Sequence, residues 1–471
     1  MELLFEYMNR HLLVVKGSSV SYILEKKDKY DRMEKYITYK SKKDFRENWE
    51  EYTITNKYVF EGTREAVILW LKWFNRRAYD EIVFRPYKHY EYDVDNYNKY
   101  NMWSGWEYEY DMNFKVDEDL IKNILHHMRV VVCNNNIEMY NYTLNLWNLI
   151  LHGKKTGIGL GLTGIQGCGK STILEYFGRR ILGDKYFAYI QSLDDLTNKF
   201  SSLRCMKSFI ICDELDTWGG DTATANKLKS ILTQTVTKLE KKNKDAINVE
   251  DFSNYGFIAN YRYPLRVEGK HDRRYLLQEC NMIYTGNKEY FNRLNRDMGS
   301  APLKGKLTKK EKIRARLIGK HFFHFLMNRD MSEFDTRNIP QTKILQTMKA
   351  AATPVIALFF YYFIEYLKFT KLTEIKVTAI YDLYGEFCNG LDYEVKFTTH
   401  TTFSKKCKKE FAIYKKYVKR RKKKITTFAE YSLDDLNNCS KKIYKLHTIG
   451  KNVIDFIEDE KNEHGNNGAG K

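Results

Sequence analysis

Gly164-Ile165-Gln166-Gly167-Cys168-Gly169-Lys170-Ser171-Thr172 is the stretch on which the reading of this chain turns. Its first eight residues fit the pattern G-x-x-x-x-G-K-[ST]. An apolar run at 158–162 precedes it, and a segment with helical spacing, 172–182, follows. Strand, glycine loop and helix in that order give the pattern its physical meaning. Gly164, Gly167 and Gly169 let backbone curl around phosphate oxygens where a Cβ would obstruct it. The first N–H groups of the helix face the anion. Lys170 can reach the β and γ phosphates, and Ser171 can ligate Mg²⁺. The motif therefore implies a site for ATP and Mg²⁺ formed by residues 164–172.

Residues 156–295 alternate apolar strands with helices, the order of a parallel sheet covered by helices. Within it, Phe209-Ile210-Ile211-Cys212 is a buried-strand run that ends directly in Asp213-Glu214. Carboxylates at the C-terminal tip of a parallel strand stand where open α/β sheets bind ligands. Hydrolysis needs one anion for the metal and another for the water, which assigns Asp213 to Mg²⁺ and Glu214 to the nucleophile. A nucleoside kinase would share both motifs, so the residues downstream decide between them.

Downstream come Trp218-Gly219-Gly220-Asp221 and Leu228-Lys229-Ser230-Ile231. A lysine-rich stretch with Lys238, Lys241, Lys242 and Lys244 follows, then an apolar strand ending in Asn260, then Asp272-Arg273-Arg274. This order resembles the superfamily 3 helicases, and more narrowly the helicase part of poxvirus-type and phage-type primase–helicases, an NrS-type polymerase-like helicase domain among them. Asn101-Met102-Trp103-Ser104-Gly105-Trp106 and the stretch from Asn328 to Phe334 extend the likeness to roughly residues 60–370. The resemblance implies that Asn260 is the polar sensor and that Arg273 or Arg274 is an arginine finger supplied to a neighbouring subunit. It implies that Lys238, Lys241, Lys242 and Lys244 hold single-stranded DNA at a hairpin, a salt-sensitive and sequence-independent grip; a solvated loop is the plainer reading of the same lysines. A finger acting in trans implies a homo-oligomeric ring, expected to be a hexamer. The resemblance further implies 3′-to-5′ travel, a separate primase or polymerase as partner, and replication of a virus or mobile element inside the host cytoplasm or nucleus.

The fold expected is an AAA+-like P-loop core with a parallel sheet, preceded by a mainly helical domain and followed by a helical and winged-helix-like basic region. The boundaries read as a small α/β region at 1–60, a helical helicase-associated block at 61–152, the ATPase domain at 153–300, a helical extension at 301–370, the basic region at 371–435 and a tail at 436–471. In that basic region, residues 401–424 carry twelve Lys or Arg against one Glu. A helix at 399–411 and strands at 413–418 and 425–431 make a basic ribbon suited to duplex or forked DNA; a nuclear localisation signal or a solvated face fits the same composition.

Lys and Arg number 79 against 60 Asp and Glu, a net charge of +19. That surplus suits a polyanion partner, or a lysine-rich protein of an AT-biased genome. Eight cysteines without a C-x-x-C pair point away from a zinc site or disulfide framework and toward a reducing compartment. The longest apolar run, 350–364, contains Pro354 and ends at Glu365, too short for the ~20 residues of a membrane span. Glu2, Glu6 and Arg10 break the apolar N-terminus, so no signal peptide and no membrane partner are expected. Asp93-Val94-Asp95 lacks the partner residues of a primase metal site. Adjacent His126 and His127 on one helix cannot face the same ion and read as one surface and one core residue. Two other functions remain open on the sequence: a non-unwinding AAA+ ATPase for DNA packaging or remodelling, and a non-enzymatic origin-binding scaffold.

Overall fold

The computed structural model describes residues 2–16, 20–27, 33–38, 47, 63–87, 98–191, 196, 204–213, 222–239, 247–260, 273–301, 306–346, 355–370, 374–390, 399, 401–403, 405, 415–421, 424–430 and 437–438. They belong to two compact units. One comprises Met1–Pro264 with Leu276–Pro340, and the other Leu265–Tyr275 with Gln341–Lys471.

The centre of the first unit is a five-stranded sheet. Its strands are β1 (Gly159–Thr163), β2 (Phe187–Ile190), β3 (Phe209–Cys212), β4 (Asn254–Ala259) and β5 (Tyr275–Glu279), in the spatial order β5-β1-β4-β3-β2. The pairs β1–β4, β4–β3 and β3–β2 are parallel. Every residue of β1, β3 and β4 is buried, which is why these segments read as unbroken apolar runs: parallel strands are covered on both faces. Register aligns Ala259 with Thr163 and Phe257 with Cys212. The glycine loop, Asn260 and Asp213 therefore leave the sheet at the same edge.

The segment after the glycine loop is helical from Lys170 itself. It runs as α-helix over Lys170–Glu175 and as π-helix over Tyr176–Gly183. Phe177 stacks on Trp147 at 4.3 Å between centroids and meets Phe209 edge-on, tying the helix to the sheet and to the helix Ile137–Leu151. Within that block, Asn328 accepts the Tyr110 hydroxyl, Arg329 donates to Asn145, and Phe334 packs edge-on against Tyr142. Trp106 donates to the Leu151 carbonyl. The two outlying stretches of the family-like pattern thus both dock on the helical block.

The boundary expected at residue 60 is crossed by packing. The N-terminal strands Leu12–Val15, Ser21–Lys27 and Met33–Thr38 form a sheet completed by Ala78–Tyr79, and Val67 and Trp70 of the helix Thr63–Lys72 enter its core. Trp70 reads as part of a helical block from its neighbours, but its buried face covers this sheet.

A two-stranded hairpin, Val236–Leu239 with Ile247–Glu250, rises between the helix Thr222–Thr233 and β4. At its root Lys155 donates to Asp251 at 2.7 Å and to the Ile231 carbonyl, with both charged side chains almost wholly buried. Arg85 adds an ion pair to Glu250.

In the second unit the helices Val355–Thr370 and Val377–Gly390 share an aromatic core around Phe359, Phe360, Tyr384 and Phe403. From Val355 on, the apolar run of the sequence is thus a helix with a buried face, and no helix among the described residues is long and apolar enough to cross a membrane. The basic ribbon forms, as Lys415–Arg421 against Lys424–Glu430, but with three strands instead of two. Glu374–Lys376 pairs with Lys424–Glu430 on its other side. Three residues carry too little alternation to mark a strand in a sequence.

Lys155→Met leaves Asp251 as a buried, unpaired carboxylate. We expect a loss of about 3–5 kcal/mol in stability, much of it regained in Lys155→Met with Asp251→Leu. Denaturant unfolding of the three proteins checks this, and equal stability of single and double variants would contradict it.

Candidate nucleotide site at the sheet edge

β1 delivers the chain into the glycine loop at the buried centre of the sheet. Gly164, Gly167 and Gly169 take φ of 141°, 81° and 101°, in the region that side chains strongly disfavour. Ile165, Gln166 and Gly167 are exposed, while Cys168, Gly169 and Lys170 are buried. Gly169 is bound twice over: besides its φ, a Cβ there would lie 2.5 Å from the His127 ring. It is the N-cap of the following helix and has no side chain with which to cap it. The amide end of that helix is left to other acceptors, the arrangement that favours an anion.

Lys170 is the first helical residue and is only 5% exposed. Its Nζ donates to the carbonyls of Gly164 and Ile165 (2.9 Å to the latter) and to Asn260 Oδ1 at 3.2 Å. Asn260 leaves β4 level with Gly164, which brings the expected sensor amide onto the expected phosphate-binding lysine. Ser171 and Thr172 are half-buried beside it.

Asp213 continues β3 and is half-buried, its backbone N–H bonded to Ile190 and its carboxylate accepting the Tyr189 hydroxyl. β3 and β1 flank β4, so Asp213 and the loop stand two strand spacings apart, roughly 10 Å. Ser171 and Asp213 offer oxygen donors only, the choice of a hard cation such as Mg²⁺ that keeps most of its ligands as water and phosphate.

Arg273 is exposed and Arg274 half-buried, immediately before β5. Lys238 lies on the first strand of the hairpin. Glu214, Lys241, Lys242 and Lys244 lie outside the described residues, as do Trp218–Asp221 by number, Asp272, and Asp93 with Asp95.

Three residues of the site gave no signal in the sequence. Tyr189 reaches Asp213 from β2. Cys280 follows β5 and packs with Cys168 over Gly164. The hydrogen bond from Cys280 holds the Cys168 thiol below its usual range, and it raises that of Cys280 in turn. His127 is fully buried and bonded to Gly169, whereas His126 is exposed, the division between core and surface that their adjacency suggests. Each is a long-range contact, and no local pattern encodes it.

A family model described as "Family of unknown function (DUF5906)" matches residues 162–274, the span from the end of β1 to Arg274. No curated protein matches the sequence. Among solved structures, the A-form apo structure of the NrS-1 C-terminal region is similar with a TM-score of 0.61 at 13% identity, covering 91% of this chain and 98% of that one. A second A-form apo structure, of the 305–718 stretch of that region, gives 0.57 at 13% identity over 87% and 96%. At such identity the likeness concerns the fold. The chain is a mixed α/β protein whose parallel sheet is compatible with a nucleotide-binding core.

Gly169→Ala would force a Cβ into a left-handed backbone and onto His127. We expect a loss of more than about 1–2 kcal/mol, the cost of the backbone conformation alone. Denaturation curves measure it; an unchanged midpoint would mean that the loop rearranges freely.

Proposed function

We propose that this chain is an ATP-dependent DNA helicase of viral or mobile-element replication, a ring-forming motor of the superfamily 3 type. The observation that carries the reading is the convergence of Lys170 and Asn260, two residues 90 positions apart, on the mouth of a glycine loop at the C-terminal edge of a parallel sheet. Lys170 and the loop N–H groups bind the phosphates. The Ser171 hydroxyl and the Asp213 carboxylate would hold Mg²⁺, which would supply neutralisation of phosphate charge. Glu214 orients the attacking water. Asn260, neutral and able both to donate and to accept, bonds the γ phosphate and the water without repelling either. Arg273 or Arg274 of a neighbouring subunit stabilises charge on the transferring phosphoryl group. The hairpin lysines 238, 241, 242 and 244 grip single-stranded DNA, and the basic three-stranded region engages duplex or forked DNA.

The deciding measurement is ATP turnover with and without single-stranded DNA, followed by strand displacement. Wild type should hydrolyse ATP, accelerate with DNA and unwind a fork. Lys170→Ala should lose hydrolysis, because the charge on the β and γ phosphates is gone. Turnover at the wild-type rate in that variant would sink the assignment. Hydrolysis without unwinding favours a packaging or remodelling ATPase, and DNA binding without hydrolysis favours a scaffold.

The shared site has its own test. Arg273→Ala with Arg274→Ala should bind nucleotide nearly as wild type but turn over slowly, since the finger acts mainly in the transition state. Mixed with Lys170→Ala protein, it should regain part of the activity, because some interfaces then combine an intact Lys170 with an intact arginine. No recovery in oligomers shown by sedimentation to be mixed would reject a site shared between subunits.

A further inference from the structure

Among the described residues, the one fully buried histidine that touches the glycine loop has no part in the chemistry above. His127 begins a π-helical segment, His127–Val132, directly after the α-helix Glu118–His126. Such changes of helical pitch concentrate at functional positions. Its Nε2 lies 3.2 Å from the Gly169 carbonyl and its Nδ1 2.9 Å from the Tyr290 hydroxyl. A carbonyl can only accept, so Nε2 carries the proton and Nδ1 accepts from Tyr290. Burial holds the His127 pKa down to about 4, so the ring is neutral and this single tautomer persists across the physiological range. Tyr290 is itself fixed. Tyr284 stacks on it at 3.8 Å with rings 8° apart, and its backbone N–H bonds the Asn287 side chain. Phe291 crowds the same place, its ring 3.0 Å from where a Cβ on residue 169 would stand.

The consequence follows from peptide geometry. In a trans peptide the C=O of one residue and the N–H of the next point in opposite directions. Holding the Gly169 oxygen toward His127 turns the Lys170 N–H away from His127, out of the helical block. As the N-cap, Gly169 already turns this oxygen toward the first turn of the helix, and the His127 hydrogen bond is a second hold on a peptide plane whose glycine resists rotation least.

We propose that His127 is a positioning residue for nucleotide binding: through its hydrogen bond to Gly169, with Tyr290 fixing its tautomer, it sets the Lys170 amide to receive phosphate. This rests on the nucleotide-binding reading above, and it adds that the helical block preceding β1 orients the loop directly.

Three variants test it in the full-length chain. His127→Leu fills the space without a donor. His127→Gln places an amide N–H near the position of Nε2. Tyr290→Phe removes the donor to Nδ1 and leaves the packing. Two readouts are taken: hydrogen exchange of the peptide covering 160–175 without nucleotide, and affinity for Mg-ADP. His127→Leu should lose protection over the loop and bind ADP about tenfold more weakly, the scale of one well-placed hydrogen bond. His127→Gln should restore both to within about threefold of wild type, a rescue that volume alone does not give. Tyr290→Phe should move both readouts in the direction of His127→Leu by a smaller factor, and it stands in should the leucine variant fail to fold. Leu and Gln variants alike in loop protection, or Tyr290→Phe unchanged in both readouts, would overturn the proposal. If the exchange results hold and wild type binds no ADP, the nucleotide reading fails while the His127 contact to the loop stands.

Discussion

Lys170 carries a positive charge into the protein at the point where the sheet ends, and much of the local architecture compensates for that. A buried ammonium is tolerated only if its three donors find oxygen. Here the loop turns back so that the Gly164 and Ile165 carbonyls face Nζ, and β4 runs far enough to bring up Asn260. The left-handed glycines exist to permit that turn. The all-buried strands β1 and β4, in register, fix its two sides. The charge and the shape of the loop are thus fitted to one another.

The sequence displayed this core well because its signals are local. Residues 209–212 form a strand at the bounds their composition suggests, and the strand ending at Asn260 begins and ends within one residue of its apolar run. The loop glycines carry a fixed spacing, and Lys170 is constrained by it. Pairings between distant segments were not legible. Trp70 is apolar in any reading, and nothing nearby says that it shares its core with the strand residues Leu12, Val14, Tyr22 and Leu24. Ala78–Tyr79 is a strand only because Val14 and Val15 offer it a ladder. Glu374–Lys376 likewise owes its conformation to the strand at 424–430.

The candidate site divides the same way. Its motif residues were visible, and their supports were not. Tyr189 on Asp213, Cys280 over Gly164 and His127 under Gly169 come from β2, the exit of β5 and the helical block respectively. A histidine pair in a helix gives no sign of which partner each ring will find. The ion pair between Lys155 and Asp251, 96 residues apart, is equally silent in the sequence, although both residues are ordinary charged positions there.

That ion pair has a mechanical meaning. Asp251 stands at the foot of the hairpin and Asn260 just past the far end of β4; a short turn at 251–253 leads from the first into the strand, whose six residues span about 20 Å. Fully buried and bonded on both sides, it is stiff along its axis. Asn260 reaches the lysine of the glycine loop, and Asp251 is clamped by Lys155 at the root of the hairpin. One buried strand thus joins the surroundings of the hairpin root to those of the glycine loop.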